Sequence, residues 1–84
     1  MTSIVHFRIH AQARSGLLCR ILGLFAQLDL PAPEMRVTIA GRSMDVEASL
    51  AHFGDVLVPV VARKMAGLVG VETVVLEAGQ PEMA

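Results

Sequence analysis

Between Ala13 and Ile21 the hydrophobic period of this chain changes from two to about 3.6. Before the change Val5, Phe7 and Ile9 alternate with His6, Arg8 and His10. After it Leu17, Leu18, Ile21, Leu22, Phe25 and Leu28 fall at helical spacing. A strand must therefore hand over to a helix within one short turn. Ser15 is placed to cap that helix, its hydroxyl accepting from a first-turn amide. Gly16 leaves room for a ligand or another backbone to approach. The amides of Gly16, Leu17 and Leu18 would then face outward, where the helix dipole favours a carboxylate. On spacing alone the plainer role for Ser15 and Gly16, starting a helix, has the stronger claim.

The remaining elements follow in order. Ser3 to His10 reads as a half-buried strand and residues 15–28 as the first helix, with Gly23 costing it about 1 kcal/mol against alanine. Asp29-Leu30-Pro31-Ala32-Pro33 ends it, because proline cannot continue a helix. Glu34 to Ala40 and Met44 to Leu50 alternate about a Gly41-Arg42 turn and predict a hairpin. His52-Phe53-Gly54-Asp55 reads as a further turn. A second helix lies within 55–68, with Val58, Val61, Ala62, Met65 and Leu68 facing inward. Asp55 as cap and Pro59 as first helical residue give it two alternative starts. Gly67 and Gly70 close it, Val71 to Ala78 is the last strand, and the residues after Gly79 read as frayed.

The order β-α-β-β-α-β predicts an α+β, ferredoxin-like sandwich: a four-stranded antiparallel sheet with two helices on one face and the second and fourth strands outside. Residues 1–84 then make one domain with an ordered core of about 3–78. The uncovered face presents His6, Arg8, His10, Arg36, Asp45 and Glu47, mixed charges suited to a solvated surface.

Composition narrows the function. A chain of 84 residues is near the lower limit for a self-sufficient core, yet 54% of it is hydrophobic. A second copy covering the surplus apolar surface reconciles the two. A net charge of −1 gives nucleic acid or an anionic membrane nothing to grip. The single cysteine, Cys19, reads as a small, partly buried filler. With no targeting segment and no apolar run near the ~20 residues of a membrane span, the expectation is cytoplasmic.

No catalytic or metal-binding constellation emerges. His6 and His10 are four residues apart in a strand, about 13 Å, too far to share an ion. An RNA-binding sheet of this topology needs stacking aromatics where His6, Arg8 and His10 stand. A copper carrier needs a second cysteine. Arg14 could hold an anion in an acylphosphatase-type site, but that chemistry wants a positioned side-chain amide, and the chain has no asparagine.

Over residues 3–78 the element order resembles an ACT domain. Ser15-Gly16-Leu17-Leu18-Cys19-Arg20-Ile21-Leu22-Gly23-Leu24-Phe25 resembles the first loop and helix of the small, regulatory subunit of acetolactate synthase. Gly16, Leu18, Arg20 and Ile21 match that family's Pro-Gly-Val-Leu-Ala-Arg-Ile type pattern. The resemblance implies a non-catalytic subunit in branched-chain amino-acid biosynthesis. Such a chain would pair into a homodimer through its second strand and bind the large catalytic chain. Thiamine diphosphate and FAD would belong to that chain, leaving this one without cofactor, metal or catalytic residue. It also implies an amino-acid site between the first loop of one copy and the corner before the second strand of the other. Ser15, Gly16, Leu17 and Leu18 would then face Leu30, Pro31 and Ala32 of the partner copy. Valine-sensing members carry asparagine where this chain has Ala13 and Pro31, and an ammonium buried without partners costs several kcal/mol. A short form that activates its partner without sensing valine fits these residues better. The alternatives are a stand-alone amino-acid sensor and, weaker, a small enzyme using Arg14.

Overall fold

Alternation in the first strand carries Val5, Phe7, Ile9 and Ala11 to one face, all of them buried. The computed structural model of the chain describes residues 4–51 and 57–79, with the backbone alone for 78 and 79. Six elements follow one another: β1 (Ile4–Gln12), α1 (Ser15–Gln27), β2 (Glu34–Ala40), β3 (Ser43–Ala51), α2 (Leu57–Ala66) and β4 (Val71–Gly79). The strands form one sheet in the order β2-β3-β1-β4 with every neighbouring pair antiparallel, the expected ferredoxin-like arrangement.

Register explains where the core lies. Val5, Phe7, Ile9 and Ala11 stand opposite Leu50, Ala48, Val46 and Met44 of β3, and all eight are buried. Leu17, Ile21, Leu24 and Phe25 of α1 and Val61 and Met65 of α2 close over this row. Phe7 and Phe25 meet edge to face, ring centroids 5.9 Å apart, an arrangement worth about 1 kcal/mol beyond the area it buries. Among the described residues no polar side chain is buried. The core is an apolar layer between sheet and helices.

Local details refine the sequence reading. β1 runs on to Gln12, two residues past His10, and β3 takes in Ser43 and Ala51. α2 begins at Leu57, so Pro59 is its third residue, still in the first turn where no amide has an intrahelical acceptor. Asp55, the other candidate start, lies outside the described residues, as do the rest of the turn at 52–55 and the chain after Gly79. Cys19 is exposed rather than a partly buried filler. Two residues from Ile21 along a helix is a 200° rotation, which sends it to the outer face.

At Gly70 the fold needs glycine. Its φ is +100°, and a Cβ there would stand 2.9 Å from Leu17 Cδ2. Gly67 is unstrained, and its Cβ would make ordinary contacts at 3.6 and 3.7 Å. Gly70→Ala is therefore expected to cost about 1–3 kcal/mol by urea denaturation, while Gly67→Ala stays within about 1 kcal/mol of the parent. Equal midpoints for the two variants would contradict this account of the turn.

Candidate functional site

The change of period is accomplished by a three-residue turn centred on Ala13, in which the Arg14 amide donates to the Gln12 carbonyl at 2.9 Å. Two further bonds fix it: the Gln12 amide donates to Gly70 and the Ala13 amide to Arg42, both at 2.9 Å. The first loop is thus tied to the turn before β4 and to the β2–β3 hairpin. Arg14, extended at φ −135° and ψ 131°, occupies the N-cap position and makes no side-chain capping bond. Ser15 is the first helical residue, which corrects its expected role as cap. With a β-region residue already at Arg14, the helix starts one residue early.

This shift changes which amides face outward. The Leu18 amide donates to the Arg14 carbonyl at 3.1 Å, closing the first helical turn. Helix geometry leaves the amides of Ser15, Gly16 and Leu17 pointing out of the N-terminus. The outward set is therefore one residue upstream of the expected Gly16, Leu17 and Leu18. Beside them lies a depression of about 280 Å³ lined by Arg14, Gly16, Leu17, Arg20 and Val69. Two arginines border it, and the first turn carries no acidic residue. Leu17, buried, and Val69, 77% exposed, give it an apolar side. Positive charge with free amides beside an apolar wall suits a small carboxylate bearing a hydrocarbon group. Arg20 and Val69 were not anticipated. Arg20 was legible, being one helical turn from Gly16, but the turn that delivers Val69 left no sequence signal.

The other expected half lies at the far end of the sheet. Helix α1 stops in a Schellman arrangement: the Leu30 amide donates to Phe25 at 2.9 Å and the Asp29 amide to Ala26 at 3.1 Å. Asp29 takes the left-handed φ of 55° usually given to glycine. Leu30 turns back against the core. Pro31 and Ala32 line a shallow, mainly apolar depression with Ile4, Glu34, Ser49, Leu50 and Ala51. Leu18 is half-buried against the core, and neither depression includes it, Ser15 or Leu30. The nine residues of β1, about 26 Å, separate the two ends. One copy does not bring Ser15–Leu18 and Leu30–Ala32 together.

The open sheet face carries the expected charges. Glu47 stands in register with both Arg8 and Arg36. His6 Nδ1 and Ser49 Oγ are hydrogen-bonded at 2.8 Å. His10 donates through Nδ1 to Asp45 at 2.8 Å, and its Nε2 lies 3.4 Å from a Glu72 carboxylate oxygen. Glu72 reaches it because of a bulge: Thr73 pairs with His10 and Val71 with Ala11, leaving Glu72 as an extra residue. The Asp45 hydrogen bond holds the His10 pKa above 6.5, with smaller support from both carboxylate charges. Among the described residues no three His, Cys, Asp or Glu side chains are grouped to hold a metal ion. No helix among them is long and apolar enough to cross a membrane.

Comparison with known proteins gives the following. A family model described as an ACT-like domain matches residues 1–83. No curated protein matches the chain. The solution structure of the ACT domain from GTP pyrophosphokinase of Chlorobium tepidum superposes with a TM-score of 0.74 at 14% identity, covering 90% of this chain and 86% of that one. A crystal structure of that domain gives 0.71 at 15%, covering 92% and 100%. The C-terminal domain of the MgtC protein from Mycobacterium tuberculosis gives 0.76 at 16%, covering 98% and 93%. At these identities the likeness is one of fold.

A group whose pKa is raised on folding stabilises the fold fully below its unfolded value and loses that contribution as pH rises through the folded value. For His10 the window opens near 6.5 and extends upward. The stability difference between the parent and Asp45→Asn, followed by thermal melting, should accordingly shrink as pH is raised from 6 to 8. The His10 NMR titration midpoint should fall in the variant. An unchanged midpoint would contradict the assignment of Asp45 as its main partner.

Proposed function

This chain belongs to the family of ACT-like domains, and on that premise we propose that it is a non-catalytic regulatory module acting as a homodimer joined through β2. The observation carrying this reading is the state of the β2 edge. Ile39 is on the helix side of β2, level with buried Met44, yet 65% exposed. The strand's outward backbone groups are available to another strand. The β4 edge is a poorer candidate for self-pairing: it carries Glu72 and Glu77 and no basic residue, so two copies would crowd four carboxylates. β2 carries one Glu and one Arg.

Pairing also assembles the divided site. β1 and β2 are each antiparallel to β3, hence parallel to each other, so the loop after β1 and the corner before β2 lie at opposite ends of one copy. Antiparallel pairing of two β2 strands about Val37 sets the loop end of one copy beside the corner end of the other. Arg14 and the outward amides of Ser15, Gly16 and Leu17 then hold a carboxylate. Leu17 with the partner's Pro31 and Ala32 forms the hydrocarbon wall. Side-chain acceptors for an ammonium group are lacking at Ala13 and Pro31, so the site favours a carboxylate over a free amino acid.

For the partner we propose the catalytic chain of acetolactate synthase, on the resemblance of Gly16, Leu18, Arg20 and Ile21 to its small subunit. Thiamine diphosphate and FAD would reside in that chain. The second reading is a stand-alone amino-acid sensor with ligand at the dimer interface, favoured by the basic depression itself.

Light scattering should give twice the chain mass, and Ile39→Lys should raise the dimer dissociation constant at least tenfold without changing helical content. A parent that stays monomeric at 100 µM or so would overturn the reading. Affinity purification from the native cell should recover a large thiamine-dependent chain, with little thermal shift on adding L-valine. A clear shift with no such chain recovered would favour the sensor.

A further inference from the structure

Strand β4 is the other edge of the sheet, and among the described residues no strand pairs with its outer side. From Thr73 to Leu76 it carries neither charge nor proline, the residues by which an idle edge is blunted. Its irregularity, the bulge at Glu72, lies at one end. Leu76 stands level with Phe7, yet Phe7 is fully buried and Leu76 is 40% exposed. On the opposite face Val75 stands level with Arg8 and is 47% exposed. Apolar surface thus runs to the margin on both faces of the sheet, beside backbone groups that alternate residues turn outward.

Two carboxylates frame this stretch. Glu77 lies on the open face, level with His6, and among the described residues it makes no ion pair. Glu72 has one oxygen 3.4 Å from His10, and its side chain is still 55% exposed. No basic residue of β4 answers either of them.

We propose that the outer edge of β4 is a docking site for an extended segment of a different protein, aliphatic residues flanked by lysine or arginine, added as a further antiparallel strand. The proposal goes beyond the reading above and stands without it, because β4 stays outermost whether or not two β2 strands pair. Charge selects the occupant. A second β4 would set its own carboxylates along the seam, whereas basic residues there supply the missing counter-charge. The ladder of main-chain hydrogen bonds gives such a strand its affinity, and its alternate side chains give the selection. One basic residue falls level with Glu77. A second, four residues on and about 13 Å away, falls level with Thr73 and beside Glu72. The aliphatic residues between them cover Val75 on the open face and Val74 and Leu76 on the helix face.

The probe is the peptide acetyl-Thr-Lys-Val-Val-Val-Lys-Thr-amide, titrated into the isotope-labelled chain and followed by NMR. A second peptide carries glutamate in place of both lysines. At millimolar concentration the lysine peptide should shift alternate amides between Thr73 and Glu77 and leave those of Glu34–Ala40 in place. It should bind at least about fivefold more tightly than the glutamate peptide. Glu77→Lys, with circular dichroism unchanged, should reverse that preference. Amides of β4 that stay in place, shifts confined to β2, or an equal response to both peptides would overturn the proposal. So would β4 amides that shift when the protein alone is concentrated, since a second copy would then be the occupant.

Discussion

The edge-to-face contact between Phe7 and Phe25, 5.9 Å between centroids, fixes how α1 lies on the sheet. Both rings are fully buried, and among the described residues the core holds no polar side chain, so shape holds the helix in its rotation. With Phe25, Ile21 and Leu17 pointing down, Arg20 must face the α2 side and Leu22 the β2 side. A rotation by a third of a turn would bury Arg20 and expose Ile21, losing two to three kcal/mol of apolar burial besides stranding a charge. The distribution of chemistry over the surface follows from this one packing decision.

That distribution divides the work. Helix amides, Arg14 and Arg20 collect at the loop end of the sheet, and Pro31 and Ala32 at the corner end. The nine residues of β1 separate the two groups within one copy. In the proposed dimer a second copy would close that gap by symmetry. On the open face His10 bridges Asp45 and Glu72, and Glu47 stands level with Arg8 and Arg36.

Much of the fold is legible in the chain itself. The alternation of Val5, Phe7 and Ile9 and the helical spacing of Leu17, Ile21 and Phe25 are direct consequences of one-sided burial, and they gave the element order and the strand arrangement. What escaped was set by local backbone geometry. Arg14 displaced Ser15 as N-cap because the three-residue turn at Ala13 ends early, and hydrogen bonds between distant turns fix that turn. Asp29 in a left-handed conformation has no glycine to announce it. Glu72 reaches His10 only through a bulge, which depends on the register of two strands far apart in sequence. Cys19 was misplaced because its neighbours in sequence are apolar while its own direction is outward. Of the residues lining the basic depression, Gly16 and Leu17 are readable from the helix start, but Val69 comes from a turn that only the tertiary fold brings near.

The central claim is that β2 is an internal strand of a two-copy sheet, and amide hydrogen exchange of Glu34–Ala40 as a function of protein concentration tests it most directly. Alternate β2 amides, those pointing away from β3, should be protected at high concentration and lose protection on dilution, while β1 amides stay protected throughout. If those β2 amides exchange freely at every concentration, or if the concentration-dependent protection falls on β4 instead, the account is contradicted.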